Sequence, residues 1–334
     1  MSETIKKFAP IILEEIKKAQ SILLHCHPSP DPDSVGSALA MKLALEGMGK
    51  KVTLIKGDSS IPKAFDFPGV ETITQKSYGE IDPKEFDLFM ALDSSTKEMI
   101  SFKDEVVFPT TMKVVVIDHH KTNTMYGIIN CVDANYPSTS AILFDIFKEF
   151  GISLNHDIAL NLFMGIYADT GGFRFENSTP ETIKIASDLA KLAPDFTKTI
   201  FTMENSNTKG KILFEGLALS SLKEFFGGKL VITSVSQEQL IKNDIKRGDY
   251  SGSEIAGILK SVIRFDIAIP FVEEDVGVIK LGLRTRDSKK YDVSKLAGAL
   301  GGGGHVGAAG ARLNMTIPEA IELVVKTAKE LYNL

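Results

Sequence analysis

Four apolar runs in the first part of the chain, Ser21–Cys26, Lys51–Ile55, Asp87–Leu92 and Lys113–Ile117, are continuous rather than alternating. A strand with one wet face alternates apolar and polar residues, so these runs predict strands buried on both faces, as in a parallel sheet. Between and after them, Ser34–Met48 (with Val35, Leu39, Leu43 and Leu45), Ser140–Phe150 and Ile158–Tyr167 carry patterns suited to amphipathic helices. Pro180–Leu192 reads as another helix, with Pro180 in its first turn and Ala193-Pro194 ending it. The pattern therefore predicts an α/β layered domain with a parallel sheet and flanking helices over residues 1–190. A polar, poorly periodic stretch at 191–208 reads as a linker. In residues 209–334, Leu222–Phe226 and Lys229–Val235 flank Gly227-Gly228 as a hairpin, and Gly277–Arg284 is a further strand. Helical patterns at Ser253–Val262 and Ile317–Tyr332 complete a smaller α+β domain.

Composition narrows the class. With 334 residues, 43% hydrophobic, the chain exceeds one ordinary core, which agrees with two domains. No apolar run approaches the roughly 20 residues that cross a bilayer, and the charged stretch Met1–Pro10 adjoins no apolar signal core. Cys26 and Cys131 are the only cysteines, which argues against a disulfide framework and for a reducing, cytoplasmic location. A net charge of −5 provides no basic field for long duplex nucleic acid, so any nucleic-acid substrate should be short, and no membrane partner is expected.

The candidate chemistry lies where the strands end. His27, Asp31 and Asp33 follow the first, Asp93 closes the third, and Asp118, His119 and His120 close the fourth. In an open α/β sheet these carboxyl ends converge on one crevice. Pro28, Pro30 and Pro32 fix φ around the first group and would hold its ligands before a metal arrives. One imidazole among several carboxylates suits Mn²⁺, with Mg²⁺ or Co²⁺ as substitutes, better than structural zinc or calcium. So many carboxylates around one ion would leave negative charge unpaired, whereas two ions can share a bridging carboxylate. Gly36 and Ser37 are expected to open a helix whose amides receive a phosphate oxygen.

The segments His27–Ser37, Leu92–Ser95, Asp118–His120 and Tyr167–Gly171 resemble, in order, the four motifs of the DHH phosphoesterases. Gly301–His305 with Ala308–Gly310 resembles the signature of that family's DHHA1 substrate domain. The resemblance implies one metal on His27, Asp31 and Asp93 and a second on Asp33, Asp93, His119 and Asp169, with Asp93 bridging. It places His120 against the scissile phosphate, and Asp118 reads as the group that anchors the histidines. In the second domain it implies that Arg284 and His305 bind substrate, while Gly302, Gly303 and Gly304 let backbone amides approach an anion.

At this length the chain looks most like the branch of nanoRNases and pAp phosphatases. The expected substrates are short oligoribonucleotides, cut to nucleoside monophosphates, and 3′-phosphoadenosine 5′-phosphate (pAp), cut to AMP, through attack by a metal-bridging hydroxide. A homodimer is a further possibility that the resemblance raises. The alternatives are a phosphodiesterase of cyclic dinucleotides or their linear products and, more distantly, a non-catalytic nucleotide-binding protein. His25 reads as a hydrogen-bonded core histidine, Cys26 and Cys131 as small buried hydrophobes, and His156 as part of a helix cap. Lys97 and the run Leu281–Arg286 depart from the family pattern at substrate contacts.

Overall fold

The continuous apolar runs become one sheet in the computed structural model, which describes residues 1–334. Its strands are β1 (Ser21–His25), β2 (Lys51–Ile55), β3 (Leu88–Leu92), β4 (Lys113–Asp118) and β5 (Ile129–Val132). They lie in the order β2-β1-β3-β4-β5 and every neighbouring pair is parallel. β3 is buried along its whole length, which explains why its sequence does not alternate. The order changes direction at β1, so the ends of β1 and β3 flank a topological switch point, where ligands bind in sheets of this kind.

The helices of this first unit, Met1–Ser206, are α1 (Glu3–Lys18), α2 (Pro32–Gly47), α3 (Thr139–Glu149), α4 (His156–Asp169), α5 (Pro180–Leu192) and α6 (Phe196–Glu204). α2 is buried on nearly every side because it packs along α4. Two of these helices were not anticipated. α1 buries Ile5, Ala9, Ile12 and Ile16 at helical spacing, a stripe that Pro10 and the surrounding charges obscure. The polar stretch at 191–208, expected to be a linker, holds α6, whose Phe196, Ile200 and Met203 pack against the core of the first unit.

The second unit, Asn207–Leu334, is built on a six-stranded sheet with helices α7 (Lys209–Ser220), α8 (Gln237–Lys242), α9 (Gly252–Lys260), α10 (Val293–Ala299) and α11 (Ile317–Tyr332). Its strands are β6 (Lys223–Phe225), β7 (Leu230–Val235), β8 (Ile267–Asp275), β9 (Val278–Thr285), β10 (Gly303–His305) and β11 (Ala308–Asn314), ordered β10-β11-β9-β8-β7-β6. Only β7 and β8 run parallel. The β6–β7 hairpin is closed by residues 226–229 rather than by two glycines alone, with Gly227 and Gly228 at φ 69° and 92°. β8 is central despite Pro270, whose missing N–H leaves Ile269 and Pro270 out of the β8–β9 pairing. That proline hides the strand from sequence reading.

Candidate metal centre

The loop after β1 enters α2 with Asp31 as its N-cap, accepting from the Ser34 amide at 2.9 Å, and Pro32 in the first turn. This cap fixes Asp31 and turns Asp33 inward, where it is fully buried. A second helix start receives it: the amides of Thr139 and Ser140, opening α3, donate to the two Asp33 oxygens at 2.7 and 3.0 Å. These are amides that a helix N-terminus otherwise leaves without partners, and its dipole favours a negative charge there. Thr139 Oγ1 also donates to Asp93 Oδ1 at 3.1 Å. Asp93, just past β3, adopts a left-handed φ of 53°, which turns its buried carboxylate into the crevice.

The remaining groups close around Asp93. His27 Nε2 lies 3.4 Å from Asp31 Oδ2 and 3.8 Å from Asp93 Oδ2. His119 Nε2 lies 3.5 Å from Asp93 Oδ1 and 3.3 Å from Asp169 Oδ2, with Asp169 supplied by the end of α4. Three sets of ligand atoms therefore approach within 4.8 Å: His27, Asp31 and Asp93; Asp33, His119 and Asp169; and Asp93, His119 and His120. Two ligands each about 2.0–2.2 Å from a common ion sit roughly 3–3.5 Å apart, close to the spacings of His27–Asp31 and His119–Asp169. Asp93 directs one oxygen to each side.

The charge balance argues for cations in the same place. Burial, with the charge of Asp93 added, pushes the Asp33 carboxyl up to about 7. Burial, then the charges of Asp33 and Asp93, pushes Asp169 up to about 10. Burial works against a charge on His27 and His119, yet their hydrogen bonds to Asp31 and Asp93 and the surrounding carboxylates outweigh it and raise both imidazoles. Positive charge is what this cluster lacks, and the mixed imidazole and carboxylate donors fit divalent metal ions.

A pH dependence follows. Asp33 and Asp169 titrate higher in the fold than in the unfolded chain, at about 7 and about 10. Their contribution to stability is complete below about pH 4, and is lost as pH rises through their folded-state values. Bound divalent ions cancel this loss because they require the ionised carboxylates. The Tm gain on adding Mn²⁺ to chelator-stripped protein is therefore expected to grow between about pH 6 and 9. A gain that is flat or shrinks across that window contradicts the assignment.

His120 is set differently from His119. Its Nδ1 bonds Asp118 Oδ1 at 2.7 Å, and that hydrogen bond, against some burial and with the Asp118 charge, raises it to about 9. Asp118 is fully buried and also accepts from the His119 amide at 2.9 Å and Asn123 Nδ2 at 2.6 Å. Burial alone would raise its carboxyl; the bonds from His120 and Asn123 hold it below the usual range. The His120 side chain is 44% exposed.

Other expected residues fall elsewhere. The helix begins at Pro32, not at Gly36, so Ser37 lies a turn inside α2 rather than at its opening, fully buried with its hydroxyl near the Ser34 carbonyl. In the second unit, Arg284 on β9 donates to Ser253 Oγ at 3.2 Å and to the Leu283 carbonyl at 3.0 Å. Gly303, Gly304 and His305 form the exposed edge strand β10, and Gly302 passes so close to the Gly310 carbonyl that a Cβ would lie 2.1 Å from it. His25 is a core residue, fully buried and pushed down to about 3 by burial, with its ring 5.3 Å from that of Phe89. His156 bridges Asp157 and Asp195 on the surface, and Asn155 is the cap instead. Thr139, Ser140 and Asn123 were not anticipated; a Ser-Thr-Ser helix start reads as capping alone.

The DHH family, N-terminal domain, matches residues 21–166, and the DHHA1 domain matches residues 216–333. The bifunctional oligoribonuclease and PAP phosphatase NrnA of Thermus thermophilus is 28% identical over 96% of this chain and 93% of its own. The protein of the same description from Bacillus subtilis is 26% identical over 90% of this chain and 92% of its own. Among solved structures, an exopolyphosphatase-related protein from Bacteroides fragilis superposes with a TM-score of 0.85 at 24% identity, covering 98% of both chains.

Proposed function

The chain belongs to the DHH family, with an N-terminal DHH domain and a C-terminal DHHA1 domain, and on that premise we propose that it is a two-metal phosphoesterase of short oligoribonucleotides and pAp. The carrying observation is the sharing of Asp93 between ligand sets, one oxygen facing His27 and the other His119. The substrate reading draws on the likeness, over most of both chains, to bifunctional oligoribonucleases and PAP phosphatases.

In this reading His27, Asp31 and Asp93 hold one ion, and Asp33, Asp93, His119 and Asp169 hold the other. Mn²⁺ suits the mixed nitrogen and oxygen donors, with Mg²⁺ or Co²⁺ as substitutes. When bound, the ions neutralise phosphoryl charge and make water nucleophilic near neutral pH. Asp118 holds His120 by Nδ1, which leaves Nε2 to donate to a phosphoryl oxygen where charge develops. The Thr139 hydroxyl and the α3 amides hold the Asp93 and Asp33 carboxylates in position. Arg284, His305 and the neighbouring glycines act on the substrate from the DHHA1 domain. Two unpaired, buried cysteines and the absence of a helix long and apolar enough to cross a membrane support a cytoplasmic enzyme.

Purified protein with Mn²⁺ is expected to turn over pAp, a linear dinucleotide and a 5-mer RNA in preference to a 24-mer or a cyclic dinucleotide. Liquid chromatography of the mononucleotide products reads the outcome. Preference for the cyclic dinucleotide or the 24-mer overturns the substrate assignment while leaving the metal site standing.

A further inference from the structure

Phe175 is a large apolar side chain of the first unit left 59% exposed, a few residues beyond Asp169. The backbone that presents it is unusual. Gly171, Gly172 and Phe173 are three successive left-handed residues, at φ 58°, 65° and 64°. Glycine takes that conformation freely, but a bulky residue such as Phe173 does so at a cost, so surrounding contacts must hold it. Those contacts are present. The Arg174 and Phe175 amides both donate to the Thr170 carbonyl, at 2.9 and 3.0 Å. Arg174 Nε donates to the Gly171 carbonyl at 2.5 Å. Asn177 Nδ2 donates to the Asp169 carbonyl at 3.1 Å and the Pro137 carbonyl at 3.2 Å, tying the far side of the loop to the end of α4.

The two phenylalanines of this loop do opposite things. Phe173 turns inward, with its ring 5.9 Å from Tyr167 and 6.2 Å from Phe163. Phe175 turns outward and lies over Gly171, where a Cβ would come within 2.4 Å of the Phe175 ring. Glycine at that position is therefore what lets the ring rest against the backbone. The loop thus seats a solvent-exposed aromatic ring against Gly171, two residues beyond Asp169 in the chain, where it adds little to the core.

We propose that Phe175 is the stacking platform for one nucleobase of the substrate. The inference rests on the reading of this chain as a nucleotide phosphoesterase and deepens it. Every base has a π-face, so a phenyl platform binds without sequence preference, as a protein that degrades short RNA of any sequence requires. The flat ring, backed by a glycine and fixed by backbone hydrogen bonds, loses little freedom when a base settles on it. Phe175 contributes binding rather than chemistry, since it carries no group that moves a proton or charge.

The test uses the full-length protein with Mn²⁺ and a linear diadenosine dinucleotide, beside two versions made abasic at the 5′ or the 3′ residue. Phe175→Leu is expected to raise KM for the dinucleotide roughly 10-fold, the scale of one lost base stack, and to leave kcat nearly unchanged. Phe175→Tyr is expected to retain the wild-type KM. On one of the two abasic substrates the difference between wild type and Phe175→Leu is expected to vanish, which a purely structural role would not produce. An unchanged KM in Phe175→Leu, or an equal penalty on the dinucleotide and both abasic versions, overturns the platform. No turnover of the dinucleotide by wild type would instead bring down the oligoribonuclease part of the proposed function, and the base platform with it.

Discussion

Asp93→Ala is expected to abolish phosphoester hydrolysis while leaving a folded protein. Losing a group that merely orients a metal ligand costs roughly 10- to 100-fold in metal affinity or activity. Asp93 stands closer, with Oδ2 turned to His27 and Oδ1 to His119, so in the proposed two-ion site its removal would take a ligand from both ions at once. The fold should survive for an electrostatic reason. The Asp93 charge helps push both Asp33 and Asp169 upward, so deleting it relieves like-charge repulsion in a buried cluster. Against that relief stands the left-handed backbone at φ 53°, which alanine tolerates at a cost of about 1–2 kcal/mol. Asp93→Asn separates the terms, because asparagine accepts that conformation and keeps the shape but not the charge. Both variants should melt close to metal-stripped wild type, show little Tm gain from Mn²⁺ and hydrolyse neither pAp nor dinucleotide. Turnover by Asp93→Asn within ten-fold of wild type would remove the bridging carboxylate from the mechanism.

Residues at strand ends were legible because a doubly buried strand announces itself by a continuous apolar run, and whatever polar residue ends the run must stand at the crevice. His27, Asp93 and His119 belong to this set, and the structure brings them together. Asp169 has no such marker: it ends a helix, and only the resemblance to the DHH motifs pointed to it. Ser37 misled because small residues flank it; the cap is earlier, at Asp31, and one turn of displacement carries a side chain from a helix mouth into a helix interface. Thr139 and Ser140 were invisible for a different reason. Their amides and hydroxyl act on carboxylates far away in sequence, and no local pattern records a partner so distant. The second unit was harder to read, since Pro270 breaks the run that marks its central strand and the short β10 is mostly glycine.

The packing of α2 on α4 joins these observations to the second large prediction. α2 carries Asp33 and its own cap Asp31; α4 ends on Asp169, so the distance between the helices sets the distance from Asp33 to Asp169, which belong to one ligand set. Gly36 fixes that approach. A Cβ there would lie 2.4 Å from the Asn161 carbonyl oxygen, a backbone atom of α4 that cannot rotate away. Gly165 repeats the arrangement from the other helix, where a Cβ would meet Asp33 Oδ1 at 2.5 Å. Helix propensity alone makes Gly36→Ala stabilising by about 1 kcal/mol. The close approach argues the reverse sign, since overpacking a tight core costs about 1–3 kcal/mol. Pushing the helices apart should also spoil the ligand spacing. Gly36→Ala is therefore expected to lower the Tm of the metal-free protein by roughly 2–8 °C and to lose most of the further Tm gain from Mn²⁺. A variant that melts higher than wild type and keeps its full response to the metal would show that propensity, not helix approach, governs this position, and that the carboxylates are spaced by something other than the contact between α2 and α4.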